Sequence, residues 1–97
     1  MPAYVSLIKF TEQGIRAVKE SPDRVKAAAQ MAQSAGARFI GVWYLLGQYD
    51  IVAVIEAPDD ETATRLLLAT GMQGNVTTNT MRAFSEEEMT RIVEGLP

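Results

Sequence analysis

The chain has 97 residues, 47% of them hydrophobic, with a formal net charge of −3, which suits one domain with a single core. It contains no cysteine and no histidine, which excludes disulfides, thiolate chemistry and haem ligation and removes the commonest metal ligand and general base. The nine Lys and Arg residues are scattered singly, so we expect no nucleic-acid partner.

No part of the sequence indicates a membrane or a secretory route. No apolar segment approaches the length of a membrane span, and the opening "MPAYVSLIKF" lacks the charged region and long apolar run of a signal peptide. The absence of cysteine is compatible with a reducing compartment. We therefore expect a cytoplasmic protein without a membrane partner.

The first third of the chain predicts a strand followed by helix. Ala3–Phe10 is rich in β-formers and is predicted as the first strand. Thr11 can cap a helix that ends early at Gly14, and Ser21-Pro22-Asp23 is a second helix start. The segment is therefore either one kinked helix or two short ones, with Gly36 placed to end it.

A hairpin is predicted next. Ala37–Leu46 and Asp50–Ala57 have the composition of strands. Between them, Gly47-Gln48 can form a tight turn in which glycine takes a positive φ.

The remaining elements are predicted as a helix, a strand and a second helix. Ala57–Gly71 opens with proline and aspartate caps and continues with leucines, and Asn75–Phe84 is predicted as the fourth strand. The last helix begins with a Ser85/Glu88 capping box. Its apolar residues share one face, namely Met89, Ile92, Val93 and Leu96.

The order βαββαβ with an extra C-terminal helix predicts an α+β, ferredoxin-like sandwich. Two right-handed crossovers generate a four-stranded antiparallel sheet of order 4-1-3-2 with helices on one face. The segments Phe39–Trp43 and Ile51–Ile55 are apolar on both faces, although a sheet with one exposed face normally alternates. We therefore predict that a second copy covers the helix-free face, in a homodimer or higher homo-oligomer.

Several segments of the chain resemble the GYD-domain proteins. They are "AGARFIGVWYLLG" (Ala35–Gly47), "GQYD" (Gly47–Asp50), "EAPDDETA" (Glu56–Ala63) and "GNVTTNTMRAF" (Gly74–Phe84). The family is named for the motif Gly-Tyr-Asp, and only Gly47, Tyr49 and Asp50 match it here, because Gln48 lies in the middle of the motif. The resemblance implies one GYD-type domain over residues 1–97 that forms a dimeric α+β barrel, and it implies no particular reaction.

A polar cluster is predicted at one edge of the sheet. If strands 1 and 3 are parallel and central, their starts share an edge with the ends of strands 2 and 4. That edge would form the mouth of an apolar barrel and could bind a small molecule. The candidate ligand-binding residues there are Tyr4, Ser6, Tyr49, Asp50 and Arg82. The adjacent Asp59-Asp60 fits a helix cap better than a metal site, so no metal or cofactor is expected.

Asp50 has two interpretations. It can accept backbone N–H groups or pair with Arg82 for structural reasons, or it can contact a ligand. Two functions are compatible with the sequence, and the first is an oligomeric small-molecule-binding or regulatory module. The alternative is a cofactor-independent enzyme, of isomerase or monooxygenase type, with Asp50 as the base and Tyr49 or Arg82 stabilising negative charge. That alternative depends on analogy of fold alone.

Overall fold

The computed structural model, which describes residues 1–97, contains four strands and four α-helices in the order βααββαβα. The strands are β1 (Ala3–Phe10), β2 (Arg38–Tyr44), β3 (Ile51–Glu56) and β4 (Val76–Ala83). The helices are α1 (Glu12–Arg16), α2 (Ser21–Ser34), α3 (Asp60–Gly71) and α4 (Glu86–Glu94). A 3₁₀ turn at Val18–Glu20 joins α1 to α2, so the first helical segment is two helices.

Side-chain caps begin the later helices where the sequence indicates. The Asp59 carboxylate accepts the Thr62 N–H at 2.8 Å, and this bond lowers the pKa of Asp59. At α4, the Ser85 hydroxyl accepts the Glu88 N–H at 3.0 Å while the Glu88 carboxylate accepts the Ser85 N–H at 2.9 Å. The predicted capping box is therefore confirmed, and its second bond lowers the pKa of Glu88.

The sequence suggested that the first helix ends at Gly14, but the structure contradicts this. Helix α1 continues through it to Arg16. A Cβ atom at Gly14 would lie 1.9 Å from the Asn75 carbonyl oxygen, so glycine allows α1 to approach the chain before β4. Gly36 does have the predicted role, because it follows α2 with a φ of +80°.

The sheet has the order β2-β3-β1-β4, which confirms the predicted order and the ferredoxin-like arrangement. Every neighbouring pair is antiparallel, including β1 with β3, where Tyr4 is opposite Ile55 and Ile8 is opposite Ile51. The expectation that strands 1 and 3 are parallel is therefore wrong. Each crossover makes β1 parallel to β2 and β3 parallel to β4, but the β2–β3 hairpin reverses the chain between them.

The loop of the β2–β3 hairpin is longer than the predicted two-residue turn. The Leu45 N–H donates to the Asp50 carbonyl oxygen at 2.8 Å, and residues 46–49 lie between them. Gly47 has a φ of +138°, so the predicted positive φ is confirmed. The strands are correspondingly shorter than expected, ending at Tyr44 and beginning again at Ile51.

The two faces of the sheet have different environments. Helices α2 and α3 pack on one face, where the core contains Tyr4, Ala32, Ile55, Ala63 and Leu66. The other face has no covering helix. We call it the helix-free face, and its apolar residues are Val5, Leu7, Ile40, Trp43, Val52, Val54 and Met81.

Candidate functional site

The five predicted site residues do not form one cluster. Tyr4 and Arg82 are opposite each other on β1 and β4, at the end of the sheet where β3 finishes. Tyr49 and Asp50 lie at the other end, where β3 begins, and Ser6 lies between the two ends. The prediction that these residues share one edge of the sheet is wrong, because it required β1 and β3 to be parallel.

Asp50 joins the start of β3 to the end of β1. Its backbone N–H donates to the Ile8 carbonyl oxygen at 2.8 Å, and its carboxylate Oδ2 accepts the Phe10 N–H at 2.8 Å. The predicted bond from a backbone N–H to the Asp50 carboxylate is therefore present, and its donor belongs to β1. The predicted pairing with Arg82 is wrong, because Arg82 is at the opposite end of the sheet.

Tyr49 extends over the helix-free face. Its hydroxyl accepts a hydrogen bond from Asn79 Nδ2 at 3.4 Å, and β1 lies between these two residues in the sheet. Asn79 is opposite Leu7, whose side chain is on the same face. Tyr49 therefore belongs to the helix-free face rather than to a pocket shared with Tyr4.

Tyr4 and Arg82 belong to a cluster of side chains that contact one another. Tyr4 is buried, its hydroxyl donates to the Asp60 carboxylate, and burial, followed by this bond, raises its pKa to about 12. The Arg82 guanidinium carbon is 5.9 Å from the Tyr4 ring centroid and 4.4 Å from that of Phe84. Arg82 Nη2 is also 3.6 Å from a carboxylate oxygen of Glu88. These contacts tie β1 and β4 to the starts of α3 and α4.

A mostly apolar cavity of about 100 Å³ lies between the sheet and helices α2 and α3. Ser6 is the one predicted site residue on its wall. The Ser6 side chain is buried, and its Oγ is 2.8 Å from Thr80 Oγ1. The sequence did not reveal the cavity because its walls are mainly small and aliphatic residues without a motif.

The helix-free face exposes large apolar side chains. Trp43 is 56% exposed, Ile40 49% and Met81 46%. A Cβ atom at Gly41 would lie 2.4 Å from Trp43 Cη2, so the indole lies directly over the backbone of its own strand. This face therefore exposes a group of large apolar side chains, which is typical of an association surface.

The neighbouring aromatic residue of β2 points the other way. Tyr44 is opposite Ile51, on the helix-covered face, and its hydroxyl oxygen is 2.8 Å from Ser21 Oγ in α2. Trp43 is opposite Val52 on the helix-free face. Trp43 and Tyr44, which are consecutive in β2, therefore point to opposite faces of the sheet.

Two classes of feature are absent from the described residues. No group of three or more carboxylate side chains is arranged to hold a metal ion. None of the helices combines the length and apolar character required to span a membrane.

Comparison with known proteins gives both a family and a fold. Residues 4–93 match the family model of the GYD domain. A relative named glutamine synthetase and cystathionine beta-lyase binding protein, from Thermus thermophilus, is 33% identical over 85 residues, which cover 87% of this chain and 90% of that protein.

Solved structures of low sequence identity share the fold. A crystal structure of a protein from Thermus thermophilus has a TM-score of 0.55 at 22% identity, covering 88% of this chain and 95% of that one. The crystal structure of FFRP-DM1 has a TM-score of 0.63 at 13% identity, covering 87% of this chain and 100% of that one. At these identities the similarity concerns the fold alone.

Proposed function

The chain belongs to the GYD domain family, and we propose that it is a non-catalytic regulatory module that assembles as a homodimer and binds a partner enzyme. The homodimer forms through the helix-free face and completes the dimeric α+β barrel. The absence of cysteine suits action in the reducing cytoplasm.

The observation that carries the assembly is the exposed apolar surface of the helix-free face. Trp43, Ile40 and Met81 are each about half exposed there, beside the valines of β3. Complete burial of one such side chain contributes about 1.5–3 kcal/mol. A two-fold axis brings the same patch of two copies together, so one face is sufficient for both sides of the interface.

The partner is proposed from the relative at 33% identity. The name of that protein states that it binds glutamine synthetase and cystathionine beta-lyase. Its similarity extends over most of both chains, so the whole domain is available for an equivalent role. We therefore propose, as the first partner to test, the glutamine synthetase of the organism that encodes this chain.

The enzyme alternative has no supporting observation. The Asp50 carboxylate is bonded to a backbone N–H and is not on the wall of the cavity. A general base must reach the proton that it removes. Tyr49 is directed across the helix-free face, and Arg82 is at the other end of the sheet.

The assembly is tested by sedimentation of the wild type and of Val54→Asp, which places a carboxylate at the centre of the helix-free face. We expect the wild type to be at least a dimer at micromolar concentration and the variant to be monomeric. Burying an unpaired charge costs several kcal/mol, equivalent to a loss of affinity of roughly 100-fold or more. A monomeric wild type contradicts the proposal.

Leu68→Asp is the matched control, because Leu68 is 67% exposed on α3, away from the helix-free face. This variant is expected to remain assembled. Partner binding is measured separately, with purified glutamine synthetase from the same organism and immobilised wild-type protein. Failure to form that complex removes the partner from the proposal and leaves the assembly result intact.

A further inference from the structure

The cavity between the sheet and helices α2 and α3 lies on the face opposite the proposed dimer interface. Three alanines contribute to its wall, Ala28 and Ala32 from α2 and Ala53 from β3. Protein interiors are normally packed as densely as organic crystals, so the space of about 100 Å³ between the sheet and these helices exceeds what close packing leaves. An apolar cavity of this order of size can accept a ring-sized molecule.

The Ser6–Thr80 pair provides a hydrogen-bond donor at this cavity. Ser6 is 2% exposed and is on the cavity wall, and its one side-chain hydrogen bond is to the Thr80 hydroxyl at 2.8 Å. Two hydroxyl groups carry two protons, and one bond between them uses one proton. When Thr80 is the donor, the Ser6 O–H is free to donate to an oxygen atom inside the cavity.

The charge on the cavity wall favours an anion. Arg24 is the one ionisable residue on the wall, and no carboxylate is present there. Its guanidinium donates to the Ala17 carbonyl oxygen at 3.0 Å and to the Gly14 carbonyl oxygen at 3.3 Å. A guanidinium has five N–H donors, so further donors remain for a carboxylate. The carboxylate nearest in sequence, Asp23, is exposed and is not on the wall.

We infer that this cavity binds a small monocarboxylate with a single-ring apolar body that carries an oxygen acceptor. The ring occupies the space beside Ala28 and Ala53, the acceptor oxygen receives the Ser6 O–H, and the carboxylate pairs with Arg24. This site goes beyond the proposed assembly and does not depend on it, because the cavity is formed within one chain.

The test uses 4-hydroxyphenylacetate as the probe, titrated into isotope-labelled full-length protein and followed by amide chemical shifts. We expect saturable shifts that include Ser6, Ala28 and Ala53. Ala28→Leu fills the cavity with a residue that is well tolerated in a helix, and it should weaken binding by about ten-fold or more. Ala27→Leu is the control, because Ala27 is exposed and is not on the cavity wall, and it should bind as the wild type does.

The two polar contacts are tested with matched probes. Ser6→Ala should bind 4-hydroxyphenylacetate no better than the wild type binds phenylacetate, which lacks the ring oxygen. The wild type should prefer the carboxylate to 4-hydroxyphenylacetamide by about ten-fold, a ratio typical of one charged contact. Arg24→Gln should lose this preference, and Arg24→Lys should retain part of it.

Three outcomes overturn the inference. They are the absence of saturable shifts in the wild type, equal binding by Ala28→Leu, and shifts confined to the helix-free face. A higher melting temperature of Ala28→Leu without any probe binding to the wild type identifies the cavity as a packing gap. None of these outcomes affects the sedimentation test of the dimer.

Discussion

Asp50 provides the hydrogen-bond acceptor for a backbone N–H at the end of a central strand. Phe10 is the last residue of β1, and its N–H bonds to the Asp50 carboxylate at 2.8 Å. A hydrogen bond to a charged acceptor is worth about 1.5–3 kcal/mol, compared with about 0.5–1.5 kcal/mol for a neutral one. The charge of Asp50 is therefore explained by strand pairing, without a ligand.

We predict that Asp50→Asn lowers the free energy of unfolding by about 1 kcal/mol, because an amide oxygen can still accept the Phe10 N–H without the charge. Asp50→Ala leaves that N–H without its partner and should lower it by about 2 kcal/mol. Urea denaturation measures both changes. Asp23→Asn, at an exposed carboxylate in α2, is the control and should change stability by less than about 0.5 kcal/mol. Unchanged stability of Asp50→Asn would contradict the structural role.

The raised pKa of Tyr4 predicts that the folded protein loses stability in alkaline solution. Its pKa is about 12 in the folded protein and 10.0 as the ordinary value, so the unfolded chain loses the proton first. The contribution of Tyr4 is therefore complete below pH 10 and is lost as the pH rises from 10 towards 12. Absorbance of tyrosinate should show one of the three tyrosines ionising near pH 12, and Tyr4→Phe should remove that step. A native protein in which Tyr4 ionises near pH 10 would exclude this burial.

At the scale of elements, α1 is held against the segment before β4 by closely spaced backbone contacts. The Thr11 hydroxyl accepts the Gly14 N–H at 3.1 Å and donates to the Gly74 carbonyl oxygen at 2.6 Å. The Thr11 N–H donates to the Asn75 carbonyl oxygen at 3.0 Å. Gly14 is buried in this contact. One threonine therefore both caps the helix and positions it.

The contact predicts opposite effects for two glycines in helices. Gly14→Ala places a Cβ atom 1.9 Å from a backbone oxygen, so α1 must move, and we expect a loss of about 2 kcal/mol or more. Gly71→Ala, at the end of α3, has no atom within 4 Å of its new Cβ and no positive φ. It should be neutral or stabilising by up to about 1 kcal/mol. Thermal unfolding distinguishes the two, and equal melting temperatures would contradict the close approach.

At the scale of the whole molecule, a single chain is more extended than its length requires. The radius of gyration is 14.7 Å, whereas about 12–13 Å is typical of a compact domain of this size. Helix α4 contributes apolar side chains that stay about half exposed, namely Met89, Ile92 and Val93, and Leu96, beyond the end of this helix, is 65% exposed. Together with the helix-free face, this leaves much apolar surface uncovered in one copy, which supports the proposed assembly.

The sequence by itself determined the elements and their order. Local signals were sufficient for the capped start of α1 at Thr11, the capping box of α4 and the αL glycine after α2, because each depends on residues within one turn of helix. The apolar strands and the crossovers between them were also sufficient for the sheet order. The two-faced apolar pattern of β3 was visible without coordinates.

Only the tertiary structure decided which side chains meet. The prediction that the candidate residues share one edge was wrong at one step, the direction of β1 relative to β3, and that step placed Asp50 beside Tyr4 and Arg82 instead of beside Phe10. The contact of Gly14 with Asn75 and the cavity beside Ser6 are likewise invisible in the sequence. Such contacts join residues distant along the chain, and they depend on strand direction and helix position to within a few ångströms, which local propensity does not specify.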